Sequence, residues 1–184
     1  MQDYSHGKYR MVIMTRSMAY SDKLKDKMAQ DILKIPCDYV LWLDADQTYP
    51  KDTPERLMRH IDSGKMIVGG LVPHRGNGLP NIYDSIPGSP LYQHKKVYPG
   101  DGLVKVDAMG FGGVMMKPEV FQKMEYPWFR MKWNEEINDM LGMDFTFYGN
   151  CTKAGIDVWC DTDLVFGHLA VKTVPLAIEK GVFS

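Results

Sequence analysis

Two carboxylates, Asp44 and Asp46, stand one residue apart where the apolar run Tyr39-Val40-Leu41-Trp42-Leu43 stops, and Pro50 follows closely. Such a run reads as a buried strand that delivers both acids to its C-terminal end. In an extended chain the two share one face, and a turn starting at Ala45 aims them at a common point. Hard oxygen ligands that converge in this way suit Mg²⁺ or Mn²⁺. The competing reading makes Asp44 a cap of the next element and leaves Asp46 solvated. Further along, Arg75 follows Gly69-Gly70-Leu71-Val72-Pro73-His74, where it could hold a phosphate. Asp144 and His168 stand at the ends of predicted elements, where sites are normally built. Each has a structural alternative, a helix cap for Asp144 and a satisfied core imidazole for His168.

These residues need elements to place them. Tyr9-Arg10-Met11-Val12-Ile13-Met14-Thr15 suits a first strand, and Ser21-Asp22 offers a cap to a helix whose Leu24, Met28, Ile32 and Leu33 recur at helical spacing until Pro36. With the strand 38–43 this makes a βαβ unit, which predicts a parallel sheet with ligands beyond its carboxyl ends. Asp52-Thr53-Pro54-Glu55 opens a helix to His60, and Met66-Ile67-Val68-Gly69-Gly70 is the next strand. Residues 76–102 read as a long loop with a hairpin around Tyr98 to Leu103, of the kind that forms lids and binding surfaces. Val104 to Ala108 alternates as a strand, Met109 to Gly113 is a flexible corner, and Val114 to Lys117 precedes a short helix at Pro118-Glu119. Tyr126-Pro127-Trp128-Phe129 reads first as core or a flap packed on it, although aromatic faces also stack on sugar rings. Trp133 to Met143 is acidic and amide-rich, Asp144 to Ala154 is a helix ended by Gly155, and strands follow at 156–160 and 164–168. The fold class expected is α/β: one domain over 1–184, with a mostly parallel sheet flanked by helices.

At 184 residues and 45% hydrophobic content the chain can bury one substantial core. Its 22 Lys and Arg against 23 Asp and Glu give a net charge of −1, which excludes a general attraction for nucleic acid, so a charged ligand must be met locally. Cys37, Cys151 and Cys160 form no CxxC pair, which argues for reduced thiols and against structural zinc. No apolar run approaches the roughly 18 residues of a membrane helix, and the polar start is not a secretory peptide. The expected setting is the cytoplasm.

The chain from Asp38 to Lys172 resembles the metal-dependent GT-A fold (Rossmann-like) glycosyltransferases, especially those similar to family 2. Five stretches carry the resemblance in order: Leu43-Asp44-Ala45-Asp46; Gly69 to Arg75; Asp107-Ala108-Met109-Gly110-Phe111-Gly112-Gly113; Pro127-Trp128-Phe129; and Asp144-Phe145-Thr146-Phe147 leading to Gly155 and Gly167-His168. The resemblance implies a nucleotide-sugar donor and a divalent metal, Mn²⁺ or Mg²⁺, bound directly by Asp46 with His168 as a further ligand. It implies that Asp44 contacts the ribose or the metal's water shell, and that Arg75 and Lys172 assist at the phosphates. Asp144 matches the general base of an inverting transfer, and Gly112, Gly113 and Trp128 fall on the acceptor side. The acceptor is left open: a saccharide, a lipid-linked sugar, a protein or a modified nucleic acid. Two departures stand out. Met143 occupies the place of the glutamate that usually precedes the base, and one strand and helix precede the DxD strand where the family usually has a longer base-recognising half.

Two rival readings remain. Val40 to Thr48 is also similar to the first motif of haloacid dehalogenase-type phosphatases, with Asp44 as nucleophile and Asp46 as acid/base, and Gly155 to Asp161 faintly suggests that family's later acidic motif. Alternatively, Met143 and the short N-terminal half fit a non-catalytic carbohydrate-binding module.

Overall fold

Short apolar runs closed by Gly, Pro or Asp become strands, and stretches with helical spacing become the helices between them. The computed structural model describes residues 2–6, 9–16, 21–74 and 77–169. In chain order the elements are β1 (Gln2–His6), β2 (Tyr9–Ile13), α1 (Ser21–Ile32), β3 (Val40–Trp42), β4 (Gln47–Thr48), α2 (Thr53–Asp62) and β5 (Ile67–Leu71). Then come β6 (Ile82–Ser85), β7 (Tyr92–His94), β8 (Leu103–Val106), β9 (Ala108–Met109), β10 (Val114–Met116) and α3 (Glu119–Lys123). The last are β11 (Lys132–Asn134), β12 (Asp139–Leu141), α4 (Met143–Lys153), β13 (Val158–Val165) and β14 (Gly167–His168). Among the described residues no helix is long and apolar enough to cross a membrane.

The central sheet has the order β3-β10-β5-β13-β8. Strands β5 and β13 are parallel neighbours, β10 runs antiparallel to both β3 and β5, and β8 runs antiparallel to β13. So β3, β5 and β13 point the same way, and their C-terminal ends share one edge. The sheet is mixed, where a mostly parallel one was expected. A strand buried on both faces is apolar throughout whichever way it runs, so its composition carries no direction.

Alternation along the strands divides the core between the two faces. Ile67, Val114 and Met116 pack with Ala29 of α1, Phe121 of α3, and Phe147 and Cys151 of α4. Val68 and Met115 pack on the other side with Leu57, Met58 and Ile61 of α2. Each Val, Ile, Leu, Met or Phe side chain among them, when fully removed from water, contributes about 1.5–3 kcal/mol before chain entropy is charged against it.

Three further expectations are corrected. Strand β2 forms, but it pairs antiparallel with β1, and the central sheet begins at β3, so no βαβ unit joins it to β3. The 76–102 stretch contains a hairpin at β6 and β7, closed through Pro87-Gly88-Ser89-Pro90 with Gly88 at φ +78°, and β6 also pairs with β9. Around Tyr98 there is a turn, in which Asp101 N–H donates to the Tyr98 carbonyl at 3.2 Å. Lastly, 158–165 is one strand, whose register against β5 shifts between Asp161 and Val165.

Candidate active site

Beyond Trp42, whose carbonyl accepts the Gly113 N–H at 2.8 Å, the chain leaves the sheet, and Leu43 is exposed. It turns through Asp44–Gln47, with Gln47 N–H donating to the Asp44 carbonyl at 3.4 Å, and enters β4. That strand pairs antiparallel with β14, Gln47 opposite His168, and Leu169 N–H donates to the Asp46 carbonyl at 2.8 Å. The ladder brings the His168 Nε2 to 3.6 Å from Asp46 Oδ2. On the other side of the ring, Nδ1 lies 3.0 Å from the Pro73 carbonyl oxygen, which can only accept, so Nδ1 carries the proton. In the neutral ring Nε2 is then the lone-pair nitrogen, and it is the one turned toward Asp46. The loops that follow β3, β5 and β13 meet here, at the shared edge where α/β sheets hold ligands.

The pair fits a divalent ion. One carboxylate and one imidazole make a mixed oxygen and nitrogen donor set, suited to Mn²⁺ and tolerable to Mg²⁺ where phosphate and water oxygens complete the shell. Among the described residues no group of three His, Cys, Asp or Glu side chains is placed to hold a metal.

Asp44 sits in the same turn, held by its backbone. Its N–H donates to the Tyr49 hydroxyl at 2.8 Å, and that hydroxyl has the Gln47 Oε1 at 3.1 Å and the Asp44 carbonyl at 3.2 Å to donate to. Burial pushes the Tyr49 phenol up to about 12, and it stays a neutral donor. Gly112 packs against this turn and Gly113 against its neighbour Phe166. A Cβ on Gly112 would meet the Gln47 side-chain amide, and Gly113, at φ +74°, lies against the Phe166 ring. Only a residue without a Cβ meets both demands.

Asp144 occupies a second locus, in the first turn of α4, where the helix dipole favours a carboxylate. Its Oδ1 receives the Lys25 Nζ at 3.3 Å. Lys25, on α1, is 12% exposed, and its ammonium stands 4.2 Å from the centroid of the Phe111 ring. Phe111 belongs to the corner 110–113 and also packs edge-on against Trp42, with ring centroids 5.5 Å apart, so it joins the two loci. Tyr148, fully buried, packs against the same Phe111 ring, with centroids 5.9 Å apart. Burial pushes its phenol well up, and the negative charges of Asp144 and Asp44 add to that.

The sequence-predicted residues therefore divide. Asp46 and His168 come together, Asp44 lies in the same turn as Asp46, and Asp144 stands at its own locus, linked to Trp42 through Lys25 and Phe111. Gly112 and Gly113 are tight packing corners. Trp128, placed on the acceptor side by resemblance, is 6% exposed and donates its indole N–H to the Phe121 carbonyl at 2.9 Å, which makes it core. Arg75 and Lys172 lie outside the described residues. Asp161 and Asp157, the acids of the phosphatase-like motif, are held by Arg56 and Lys105 at 2.9 Å and 2.6 Å. Sequence reasoning missed Lys25 and its neighbour Asp26. Their signal was faint: they lie four and three residues before Ala29, on the helix face that α1 buries.

Comparison with known proteins adds three findings. The family model of glycosyl transferase family 2 matches residues 32–155. No curated protein matches the chain. Among solved structures, the crystal structure of A197 from STIV is similar, with a TM-score of 0.64 at 17% identity, covering 87% of this chain and 72% of that one, which is a likeness of fold.

Proposed function

Since this chain belongs to glycosyl transferase family 2, with a GT-A-like α/β fold, and is a glycosyltransferase, we propose that it moves a sugar from a nucleoside-diphosphate donor to an acceptor hydroxyl by metal-dependent, inverting displacement. The membership removes the phosphatase reading. The observation that carries the proposal is the approach of His168 Nε2 to Asp46 Oδ2 at the edge formed by the ends of β3, β5 and β13.

Asp46 and His168 would hold the ion, Mn²⁺ in preference to Mg²⁺ because one donor is an imidazole nitrogen. Bound there, it supplies positive charge next to the leaving diphosphate. Asp44 faces the ribose or the ion's water shell, and Arg75 and Lys172 belong to the phosphate side. Asp144 takes the acceptor's hydroxyl proton on a carboxylate oxygen as the acceptor oxygen bonds to the anomeric carbon. The bond from that carbon to the phosphate oxygen breaks, and the electron pair leaves with the nucleoside diphosphate. One displacement from the opposite face inverts the anomeric configuration. The acceptor class stays as broad as the sequence leaves it: a saccharide, a lipid-linked sugar, a protein or a modified nucleic acid.

The test is a panel of nucleotide sugars with Mn²⁺, read by released nucleoside diphosphate. One donor should be cleaved, Asp46→Ala and His168→Ala should abolish the metal requirement together with the activity, and Asp144→Asn should keep donor affinity while turnover falls on the order of a hundredfold. If no donor is bound or cleaved and Asp46→Ala leaves Mn²⁺ binding unchanged, the proposal fails.

A further inference from the structure

We propose that Lys25 is a positioning residue for Asp144, holding one oxygen of its carboxylate from α1. The inference rests on the reading of Asp144 as the base. Met143, in the place of the usual glutamate, is an apolar side chain packed against the core and cannot orient a carboxylate. Lys25 can. Its side chain is 12% exposed, its Nζ lies 4.2 Å from the Phe111 centroid and 5.9 Å from that of Phe129, and its ion-pair partner is Asp144 Oδ1 at 3.3 Å. An ammonium so far out of water is held by ring faces and one carboxylate, which fixes the lysine's long stem and makes it a rigid donor.

The consequence for Asp144 is geometric. Oδ1 is engaged by Lys25, while Oδ2 has no hydrogen-bond partner among the described residues, and the side chain is 34% exposed. One oxygen is anchored and the other is left to take the acceptor proton. Without Lys25 the carboxylate rotates about its two side-chain torsions, and a base displaced by about 1 Å can lose on the order of a hundredfold in rate. Phe111 gives the arrangement a second use: the ring that holds the ammonium also packs on Trp42, the last residue of the strand before Asp44. The base is thereby referenced to the strand that carries the metal ligand.

The experiment is a double-mutant cycle on the full chain. Lys25→Met and Lys25→Gln are both made, so that a folded variant, checked by its melting transition, is available. Turnover is read as nucleoside diphosphate released from the nucleotide sugar that the donor panel identifies. Replacing Lys25 should lower kcat at least tenfold, leave the donor KM within twofold, and cause no further loss in an Asp144→Asn background. A second reading needs no turnover: the carboxyl carbon resonance of Asp144, assigned by its loss in Asp144→Asn, should shift when Lys25 is replaced while that of Asp46 stays. A loss that is as large in the Asp144→Asn background as in the wild type, or one that falls on donor KM, overturns the positioning role. If Asp144→Asn itself leaves turnover unchanged while the carboxyl resonance still reports Lys25, the contact stands but the reading of Asp144 as base fails, and the positioning role falls with it.

Discussion

Asp26 shows how one residue can hold a segment that its own helix does not touch in sequence. It is 3% exposed, and its Oδ1 accepts the backbone N–H groups of Trp128 at 3.1 Å and Phe129 at 2.9 Å. Burial pushes its carboxyl above the usual range, against the lowering effect of those two bonds and of the Arg130 guanidinium. What the fold needs from it is an acceptor more than a charge. Asp26→Asn, which keeps an oxygen in place, should therefore change stability by less than about 1 kcal/mol, while Asp26→Ala leaves two buried donors unsatisfied and should cost about 3 kcal/mol, both read by urea unfolding. Equal losses would mean that the charge itself is what matters. At this scale the sequence was uneven. Asp44 and Asp46 were legible because two acids at the end of an apolar run have no place in a core. Lys25 and Asp26 were not, because an adjacent Lys-Asp on a helix reads as solvated surface until Phe111 and the 126–130 segment are known to cover it.

Among the elements, α2 is fastened to the sheet by charge as well as by its apolar face. Arg56 reaches Asp161 of β13 with Nη2 at 2.9 Å and Nε at 3.2 Å, and the His60 Nε2 lies 3.1 Å from the same carboxylate. Burial alone would push the Asp161 carboxyl up, yet the His60 and Arg56 hydrogen bonds outweigh it and hold the group below the ordinary 3.8. An acid whose value is lower in the folded chain than in the unfolded one stabilises fully above the unfolded value, and that stabilisation is lost as pH falls through the folded one. Asp161→Ala should cost about 3–5 kcal/mol near neutral pH, since it strands a partly buried guanidinium, and the gap to the wild type should narrow as pH drops below about 4. A gap of constant size down to acid pH would assign the loss to packing. The strands themselves were legible: β3, β5, β8, β10 and β13 all coincide with runs that composition marks. Their directions were not, because direction is set by connections, and here β9 leaves the main sheet to pair with β6 before β10 returns antiparallel between β3 and β5. The β6 and β7 hairpin was hidden for a related reason, since its short strands are half polar and its turn signals look like any long loop.

For the molecule as a whole, the consequence of a mixed sheet is that its three like-directed strands still end at one edge, and the proposed donor site spans all three of their loops. Asp46 follows β3, the Pro73 carbonyl follows β5, and His168 follows β13 with its Nδ1 bonded to that carbonyl. A ligand seated there ties together loops that otherwise meet through β4 and β14, each two residues long. Binding to the folded state alone adds about 2.7 kcal/mol at a hundredfold excess over Kd, which for a chain of 184 residues is roughly 5–10 °C in the melting midpoint. Mn²⁺ with a nucleoside diphosphate should thus raise the midpoint by that order, and by more than the two additions made separately, because each completes the other's ligand set. Asp46→Ala and His168→Ala should keep the unliganded midpoint within a few degrees, since both side chains stand partly exposed at the sheet edge, and should lose the joint increment. Mg²⁺ should give a smaller increment than Mn²⁺ for want of a preference for imidazole nitrogen. A diphosphate that stabilises the chain equally well in the presence of a chelator would show that the three loops bind phosphate without a metal, and the pairing of Asp46 with His168 would then be structural.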